Sequence, residues 1–227
     1  MMKIGRETVD LDFLLTYMNA EAKTLQEIFT EIVSIILDDG FTFSFENIHL
    51  LSQPHMEYPG YRIIFKTSFA KIKDKIHVDI GIGDKVEPLY REIKLFQYQE
   101  KSFFEESISL LVYPIETIFA EKLETILSKG SQNSRMKDFH DLLLLLRDTS
   151  LINSKKLQES VEKTCANRGT ILQSIQFDKS SYVILQQLWR AHLRGLGGIT
   201  KELALPESIT IVVDIINSGL KQFSIFD

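Results

Sequence analysis

The hydrophobic period of this 227-residue sequence changes near residue 110. Before that point, apolar residues alternate with polar ones over short segments such as 61–69 and 75–82, a pattern that predicts strands. From Pro114 onward, apolar residues recur every three or four positions, which predicts helices. We therefore expect an α+β protein, with an α/β domain over residues 1–110 followed by a helical domain over residues 111–227.

The N-terminal domain is expected to hold one long helix among several strands. A helix is predicted over residues 20–38, because Leu25, Ile32 and Ile36 share helical spacing with their apolar neighbours and Asp38-Asp39-Gly40 provides a stop. Strands are predicted at residues 8–15, 41–45, 61–69 and 75–82, the last two joined through residues 70–74 as a hairpin. In the second domain, helices are predicted between Pro114 and Gly130 and at residues 136–148, 154–167, 180–195 and 206–222.

Composition narrows the classes of function. The formal net charge of -5 leaves no overall basic surface, so a nucleic acid would have to bind a local patch. The single cysteine, Cys165, excludes an internal disulfide and a Cys-rich zinc site, and it suits a reducing cytoplasm. No apolar run reaches the roughly 18–20 residues that span a bilayer. We therefore expect a cytoplasmic protein that does not bind a membrane.

The segment Asp10-Leu11-Asp12 is the first candidate for chemistry. Spacing of two on a strand points both carboxylates to one face, where their like charges repel each other. A hard cation such as Mg²⁺ relieves that repulsion, because it binds carboxylates together with substrate phosphates. An exposed strand end is the simpler explanation of this pattern when it stands alone.

Asp79 is the second candidate, because it lies in the middle of a predicted strand, where Asp is disfavoured. Ile76, Val78 and Ile80 point to one face of that strand, and Asp79 points to the other. If this strand pairs with residues 8–15, Asp79 approaches Asp10 and Asp12, and three carboxylates can hold one or two Mg²⁺ ions. The alternative is that Asp79 pairs with a lysine on a solvated face of the sheet.

A third group of charges spans two predicted helices. Lys122 lies near apolar positions of the first helix, and Arg135 and Lys137 begin the second, where backbone N–H groups also attract phosphate. Asp138 and Asp141 share one face of the second helix and can orient Lys122 or Arg135. The charge pattern alone favours a surface network of ion pairs, each of which contributes little to stability.

A small basic and aromatic cluster lies near the C-terminus, where Trp189 adjoins Arg190 and Arg194 on a predicted helix. Such a cluster can contact an RNA backbone. We favour the alternative in which Trp189 belongs to the core and the two arginines are solvated.

Four segments, in this order and spacing, resemble the AbiEii-type nucleotidyltransferases, the toxin family of abortive-infection toxin–antitoxin systems. The resemblance covers about residues 6–145. The segments are Arg6-x-Thr8-x-Asp10-Leu11-Asp12-Phe13, Val78-Asp79-Ile80-Gly81-Ile82-Gly83-Asp84, Glu116-x3-Ala120-Glu121-Lys122-Leu123 and Arg135-x-Lys137-Asp138-Phe139-x-Asp141-Leu142.

The resemblance implies a fold like that of DNA polymerase β-type nucleotidyltransferases, with a mixed sheet flanked by helices and then a helical domain. It implies that Asp10, Asp12 and Asp79 bind Mg²⁺, with Asp79 also a possible base. Lys122 would contact the nucleotide phosphates in a cleft also lined by Arg135, Lys137 and Asp138. The reaction implied is transfer of a nucleoside monophosphate from an NTP to an acceptor such as tRNA. A cognate antitoxin is the expected protein partner.

The sequence departs from the family pattern ahead of the Asp-x-Asp. Family members carry a Gly-Gly or Gly-Ser turn that opens a helix and cradles the triphosphate, whereas Gly5 is the only glycine among the nine residues before Asp10. This departure keeps a second hypothesis open. Under that hypothesis the protein is a catalytically degenerate relative that serves as a binding or interaction module.

Overall fold

A computed structural model of the chain describes residues 10–16, 21–51, 60–82, 86–94, 97–98, 101–102 and 107–226. Contacts group the chain into two compact units, one of Glu7–Lys85 and one of Met1–Arg6 with Val86–Asp227. We call them the sheet unit and the helical unit. The sheet unit holds a four-stranded mixed sheet, and the helical unit holds all but one of the described α-helices, which confirms the predicted α+β class. The division at residue 110 stays a prediction.

Among its described residues, the sheet unit contains one helix and a four-stranded mixed sheet. Its elements are β1 (Asp10–Leu15), α1 (Ala22–Ser34), β2 (Phe41–Leu51), β3 (Gly60–Phe69) and β4 (Ile72–Ile82). The strand order is β1-β4-β3-β2, with β1 parallel to β4 and the other two pairs antiparallel. Strand β4 therefore lies between β1 and β3, and its polar face meets side chains from both neighbours.

The core of the sheet unit explains which side chains reach the opposite face. Leu25 of α1 packs with buried residues of β3 and β4, among them Ile63 and Val78. Because side chains alternate along a strand, the positions next to these core residues point away from the core. Arg62 of β3 and Asp79 of β4 are two of those positions. The sheet thus presents a polar face opposite its apolar core.

Helix α1 is shorter than the sequence pattern predicts. It ends at Ser34, and the backbone of Ile35 is already extended. The predicted helical positions Ile35 and Ile36 consequently lie beyond the helix, and Ile36 is 94% exposed. The β-branched pair has weak helix propensity, and the turn Asp38-Asp39-Gly40 follows directly. Local propensity therefore outweighs the apolar spacing at this end of the helix.

The described part of the helical unit contains two strand pairs, ahead of its helices, that the sequence did not predict. Strand β5 (Leu89–Lys94) pairs with β8 (Ser107–Val112), and β6 (Gln97–Tyr98) pairs with β7 (Lys101–Ser102). Tyr90 and Leu111 oppose each other across the larger pair and are exposed. Because such residues do not alternate cleanly between buried and exposed positions, the hydrophobic pattern of these strands is weak.

The remaining helices agree with the predicted pattern to within a few residues. Pro114 precedes the first residue of α2, and Gly130 ends that helix with a positive φ. Side chains of Asn153 and Asp178 cap α4 and α5 by accepting hydrogen bonds from backbone N–H groups. The helices are α2 (Ile115–Lys129), α3 (Met136–Leu145), α4 (Ser154–Arg168), α5 (Lys179–Leu196), α6 (Ile199–Glu202) and α7 (Ile209–Gln222), with short 3₁₀ turns at Gly130–Gln132 and Thr149–Leu151.

The helical unit has a core of its own. It contains Phe119 and Phe139, which are fully buried, and the run from Leu142 to Leu145. Trp189 is also buried, and its indole N–H donates a hydrogen bond to the carbonyl of Pro206 at 2.8 Å. Arg190 and Arg194 beside it are exposed, so the prediction that Trp189 is a core residue is confirmed. No helix within the described ranges is long and apolar enough to cross a membrane.

Candidate active-site residues

Two of the three predicted carboxylates occupy directly paired positions on neighbouring strands of the sheet unit. The parallel register of β1 and β4 places Asp12 opposite Asp79 and Asp10 opposite His77. Paired positions on neighbouring strands point to the same face, and the strands lie about 4.8 Å apart. The predicted pairing of the strand that carries Asp79 with the strand at residues 8–15 is therefore present. The side chain of Asp10 lies outside the described part of the structure.

The carboxylate of Asp79 is held by Arg62, a residue that the sequence did not identify. The Nε of Arg62 donates to Oδ1 of Asp79 at 2.7 Å, and Nη2 donates to Oδ2 at 2.6 Å. The two residues are direct partners in the antiparallel pair of β3 and β4. Two parallel hydrogen bonds between a guanidinium and a carboxylate form one of the strongest polar contacts in proteins. The expected alternative for Asp79, a lysine partner, is thus replaced by an arginine partner.

The polar face of the sheet carries a row of charged and polar groups across all four strands. The register aligns Asp12, Asp79, Arg62 and His49 on β1, β4, β3 and β2. The side chain of Asp79 is 19% exposed and that of Arg62 is 36% exposed. Such partial burial makes their ion pair stronger than a fully solvated one. Asp79 therefore lies between a second carboxylate on one side and a guanidinium on the other.

The donor atoms of this row suit magnesium, although the structure describes only part of the predicted ligand set. Carboxylate oxygens are the ligands that Mg²⁺ prefers, and one or two of them suffice when phosphates and water complete the octahedron. Asp12 and Asp79 supply that chemistry from adjacent strands. Among the side chains that the structure describes, no three His, Cys, Asp or Glu residues come together as metal ligands.

The predicted phosphate-binding residues form a compact ion-pair network between α2 and α3 of the helical unit. The Nζ of Lys122 lies 2.6 Å from Oδ2 of Asp141 and 3.8 Å from Oδ1 of Asp138. The Nε of Arg135 lies 3.0 Å from Oδ2 of Asp138. The side chains of Asp138 and Asp141 are 1% and 5% exposed. The ion pairs that the charge pattern alone favours are therefore present, but their two carboxylates are buried and not on the surface.

The buried carboxylate of Asp138 has too few polar contacts to offset the cost of removing its charge from water. Neither of its carboxylate oxygens accepts a hydrogen bond within the described part of the chain, although Arg135 and Lys122 lie nearby. Burial raises the pKa of the Asp138 carboxyl, and the positive charges of Arg135, Lys122 and Lys137 oppose that rise only in part. Perturbed pKa values of this kind are concentrated at functional sites, although structural networks of ion pairs also produce them.

Arg135 and Lys137 bring positive charge to the start of α3. Arg135 immediately precedes the helix, and its backbone N–H donates to the side-chain oxygen of the buried Asn133 at 2.8 Å. Its side chain is 45% exposed, so it can reach a ligand in solution. Lys137 follows in the first turn and is partly exposed. The positive end of the helix dipole also attracts anions, which adds to the positive potential there.

The histidine on α3 belongs to the packing of the helical unit. His140 is fully buried, and its Nδ1 lies 2.9 Å from Nε2 of His192 on α5. The ring of His192 stacks on Trp189, with 5.3 Å between the ring centroids. These contacts tie α3 to α5 inside the helical core. They agree with the position of His140 in the middle of a helix whose residues from Asp138 to Leu145 are all buried.

An Asp-x-Asp strand in parallel register with a strand that carries a further Asp, followed by a largely helical unit, is the arrangement of a nucleotidyltransferase fold. Comparison with known families agrees with this class. The family model described as the nucleotidyl transferase AbiEii toxin of type IV toxin–antitoxin systems matches residues 1–209, and the chain belongs to that family. No curated protein matches the chain.

Proposed function

We propose that this protein is a Mg²⁺-dependent toxin enzyme that transfers a nucleoside monophosphate from an NTP to an acceptor such as tRNA. Membership of the nucleotidyltransferase toxin family supports the reaction class. The observation that carries the proposal is the register of β1 and β4, which pairs Asp12 with Asp79 on the polar face of the sheet.

In this proposal the carboxylates of the sheet unit hold the metal and receive the proton. Asp10, Asp12 and Asp79 are the metal ligands, and Asp79 is also the base for the acceptor hydroxyl. When bound, Mg²⁺ supplies positive charge to the phosphate oxygens and favours ionisation of the hydroxyl. The acceptor oxygen forms a bond to the α-phosphorus, the bond to the β-phosphate oxygen breaks, and pyrophosphate leaves. The hydroxyl proton passes to the Asp79 carboxylate.

The basic residues of the helical unit are proposed to bind the nucleotide phosphates. Arg135 and Lys137 offer exposed or partly exposed cations at the start of α3. Lys122 is held by Asp141 at 2.6 Å, which fixes its ammonium group between α2 and α3. Asp138 orients Lys122 and Arg135 by charge. Bidentate arginine and point-charge lysine contacts are the usual means of holding phosphate oxygens.

The partners proposed for the protein follow from the family. A toxin of a type IV toxin–antitoxin system acts beside a cognate antitoxin, and we propose that one controls this protein in the cytoplasm. An RNA acceptor must bind a local positive patch, since the net charge of the chain is -5. The exposed cations at the start of α3 provide part of such a patch.

The test is nucleotide transfer from each of the four labelled NTPs to a tRNA pool, with and without Mg²⁺. We expect Asp12→Asn and Asp79→Asn each to reduce transfer by about a hundredfold or more, because each removes a charge at the reacting phosphate. Asp74→Asn is the matched control, since Asp74 lies on the same strand β4 but outside the carboxylate row. Equal activity of all three variants would contradict the assigned roles.

The second hypothesis is a degenerate relative that binds partners without catalysis. The hydrogen bonds from Arg62 to both oxygens of Asp79 favour it, since a structural ion pair has the same geometry. Calorimetry with Mg²⁺ and each NTP separates the two hypotheses. Metal-dependent NTP binding that is lost in the Asp10→Ala/Asp12→Ala double variant supports the enzyme. A folded protein that binds no NTP supports the interaction module.

A further inference from the structure

Arg62 occupies the two atoms that the proposed metal site needs from Asp79. Its guanidinium donates to both carboxylate oxygens, at 2.7 and 2.6 Å. A divalent cation bound by Asp79 requires at least one of these oxygens for itself. The Arg62 guanidinium and a divalent cation from solution would thus both bind the carboxylate oxygens of Asp79. Their binding to Asp79 must be coupled.

The position of Arg62 sets it apart from the other cations on the same face. Lys66, four residues along β3, and Lys75 on β4 both pair with Glu46, at 3.3 and 2.8 Å. Neither contributes to the row that contains Asp12 and Asp79. Arg62 lies in that row through its direct pairing with Asp79. The positive charge of Arg62 therefore lies beside Asp79, the carboxylate that we propose as both a metal ligand and the base.

The partial exposure of Arg62 and Asp79 allows a metal ion to replace the guanidinium at the carboxylate. The side chain of Arg62 is 36% exposed, so its guanidinium can swing into solvent without leaving an unpaired charge in a dry interior. A fully buried arginine would not have this freedom. The side chain of Asp79, at 19% exposed, stays accessible to an ion from solution. The pair is thus held firmly enough to orient Asp79 and loosely enough to open.

We propose that Arg62 is a positioning residue that competes with the divalent cation for Asp79. It holds both carboxylate oxygens while no cation is bound and gives up at least one of them when the cation binds. This inference rests on the proposed metal-dependent function. Arg62 keeps Asp79 in place against repulsion from Asp12, and it lowers the affinity of the site for metal. The released guanidinium is then available to an anionic group of the substrate.

The competition can be measured without any nucleotide. We would titrate the full chain with Mn²⁺, a spectroscopic substitute that also binds oxygen ligands, and follow free Mn²⁺ by electron paramagnetic resonance. Arg62→Gln removes the competing cation, so we expect Mn²⁺ to bind about tenfold more tightly or better, the effect of losing a charge-assisted hydrogen bond. Arg62→Lys keeps the charge without the two-pronged geometry and should give an intermediate affinity.

Lys66→Gln is the matched control, because it removes one positive charge from the same strand and the same face. We expect its Mn²⁺ affinity to equal that of the unmodified chain. Thermal unfolding with and without Mn²⁺ provides a second measurement and shows that each variant is folded. Arg62→Gln should melt at a lower temperature without metal, and Mn²⁺ should raise its melting temperature by more than that of the unmodified chain.

The outcomes separate this inference from the proposed function. In one outcome the unmodified chain binds Mn²⁺, Asp79→Asn does not, and Arg62→Gln binds it no more tightly than the unmodified chain. That outcome overturns the competition and supports the metal site. If the folded chain and Arg62→Gln both bind no Mn²⁺, the metal-dependent function and the competition fall together. Tighter binding by both Arg62→Gln and Lys66→Gln also overturns the inference, because charge removal alone would then explain the effect.

Discussion

At the scale of single residues, Asp138 illustrates a carboxylate retained where its burial is unfavourable. Its oxygens accept no hydrogen bond from the described residues, and burial raises the pKa of its carboxyl. Asp141, on the same helix face, accepts a 2.6 Å hydrogen bond from Lys122. The two residues look equivalent in sequence, but among the described residues Asp141 accepts a hydrogen bond whereas Asp138 has ion pairs only, the shorter at 3.0 Å from Arg135. Their contributions to stability should therefore differ in size and sign.

We expect Asp141→Asn to lower the free energy of unfolding by about 2 kcal/mol at pH 7, since it leaves the Lys122 ammonium without its closest counter-charge. Asp138→Asn should cost nothing or stabilise the protein by up to about 1 kcal/mol, because it removes a poorly compensated charge. Urea unfolding of the two variants measures both changes. A large loss of stability in Asp138→Asn would show that the nearby cations compensate its charge after all.

The pH dependence follows from the direction of the pKa shift. Because the folded state holds the Asp138 proton to a higher pH than the unfolded state, this group favours folding in acid, and that contribution is lost as the pH rises towards neutral. The advantage of Asp138→Asn over the unmodified chain should consequently grow as the pH rises above 3.8, the ordinary pKa of an Asp carboxyl. If Asp138→Asn is more stable and yet loses nucleotide transfer, the carboxylate is retained for function.

At the scale of secondary-structure elements, two glycines of the sheet unit have opposite reasons for their positions. A Cβ added to Gly60, at the start of β3, would lie 2.7 Å from the backbone carbonyl oxygen of Ile80. A Cβ added to Gly81, on β4, would find its nearest neighbour at 3.7 Å, an ordinary contact. Gly60 is required by the close approach of β3 to β4. Gly81 is not required by packing, although it lies two residues from Asp79 on the same face.

We predict that Gly60→Ala destabilises the protein by about 1–3 kcal/mol, because backbone atoms must move apart. Gly81→Ala should be neutral or stabilising by up to about 1 kcal/mol, since alanine reduces the entropy of the unfolded strand. Chemical denaturation of the pair tests both expectations with one kind of substitution. If Gly81→Ala is stable but transfers nucleotide poorly, a ligand approaches the sheet beside Asp79. Equal destabilisation by both would contradict the packing difference.

Elements also show where prediction from the sequence succeeds and where it fails. Period-two spacing identifies the faces of β1 and β4, so the approach of Asp12 and Asp79 could be predicted. Arg62 was missed because its partner depends on the register of the β3–β4 hairpin. That register is set by a turn at Ala70 and Lys71, shorter than the predicted 70–74 connection. A shift of one residue in the register would move Arg62 away from Asp79.

At the scale of the whole molecule, the described residues form two hydrophobic cores that share no residue. One core, in the sheet unit, includes Ile63. The other, in the helical unit, includes Leu157 and Cys165. Cys165 is the only cysteine in the chain, and it is buried on α4. Burial, together with the nearby Glu124, raises the pKa of its thiol to about 11. A thiol reagent therefore reports opening of the helical unit without any engineered label.

We predict that Cys165 in the native protein reacts very slowly with a disulfide reagent at pH 8. The thiolate is the reactive form, and both burial and the raised pKa suppress it. The matched control is Lys163→Cys in a Cys165→Ser background, which places an exposed thiol on the same helix and should react at the rate of a free cysteine. Fast reaction of native Cys165 would show that α4 opens without global unfolding.

The same thiol tests whether the two cores unfold together. Leu157→Ala removes a fully buried side chain from the core around Cys165, and a loss of 2 kcal/mol or more should speed labelling by roughly thirtyfold. Ile63→Ala makes an equally buried change in the other core. Because the cores share no residues, we expect it to leave the labelling rate unchanged within about twofold. Acceleration by both variants would instead mean that the chain unfolds as one cooperative molecule. A loss of nucleotide transfer in a variant near Asp79 would then have to be corrected for its loss of global stability before it is assigned to the site.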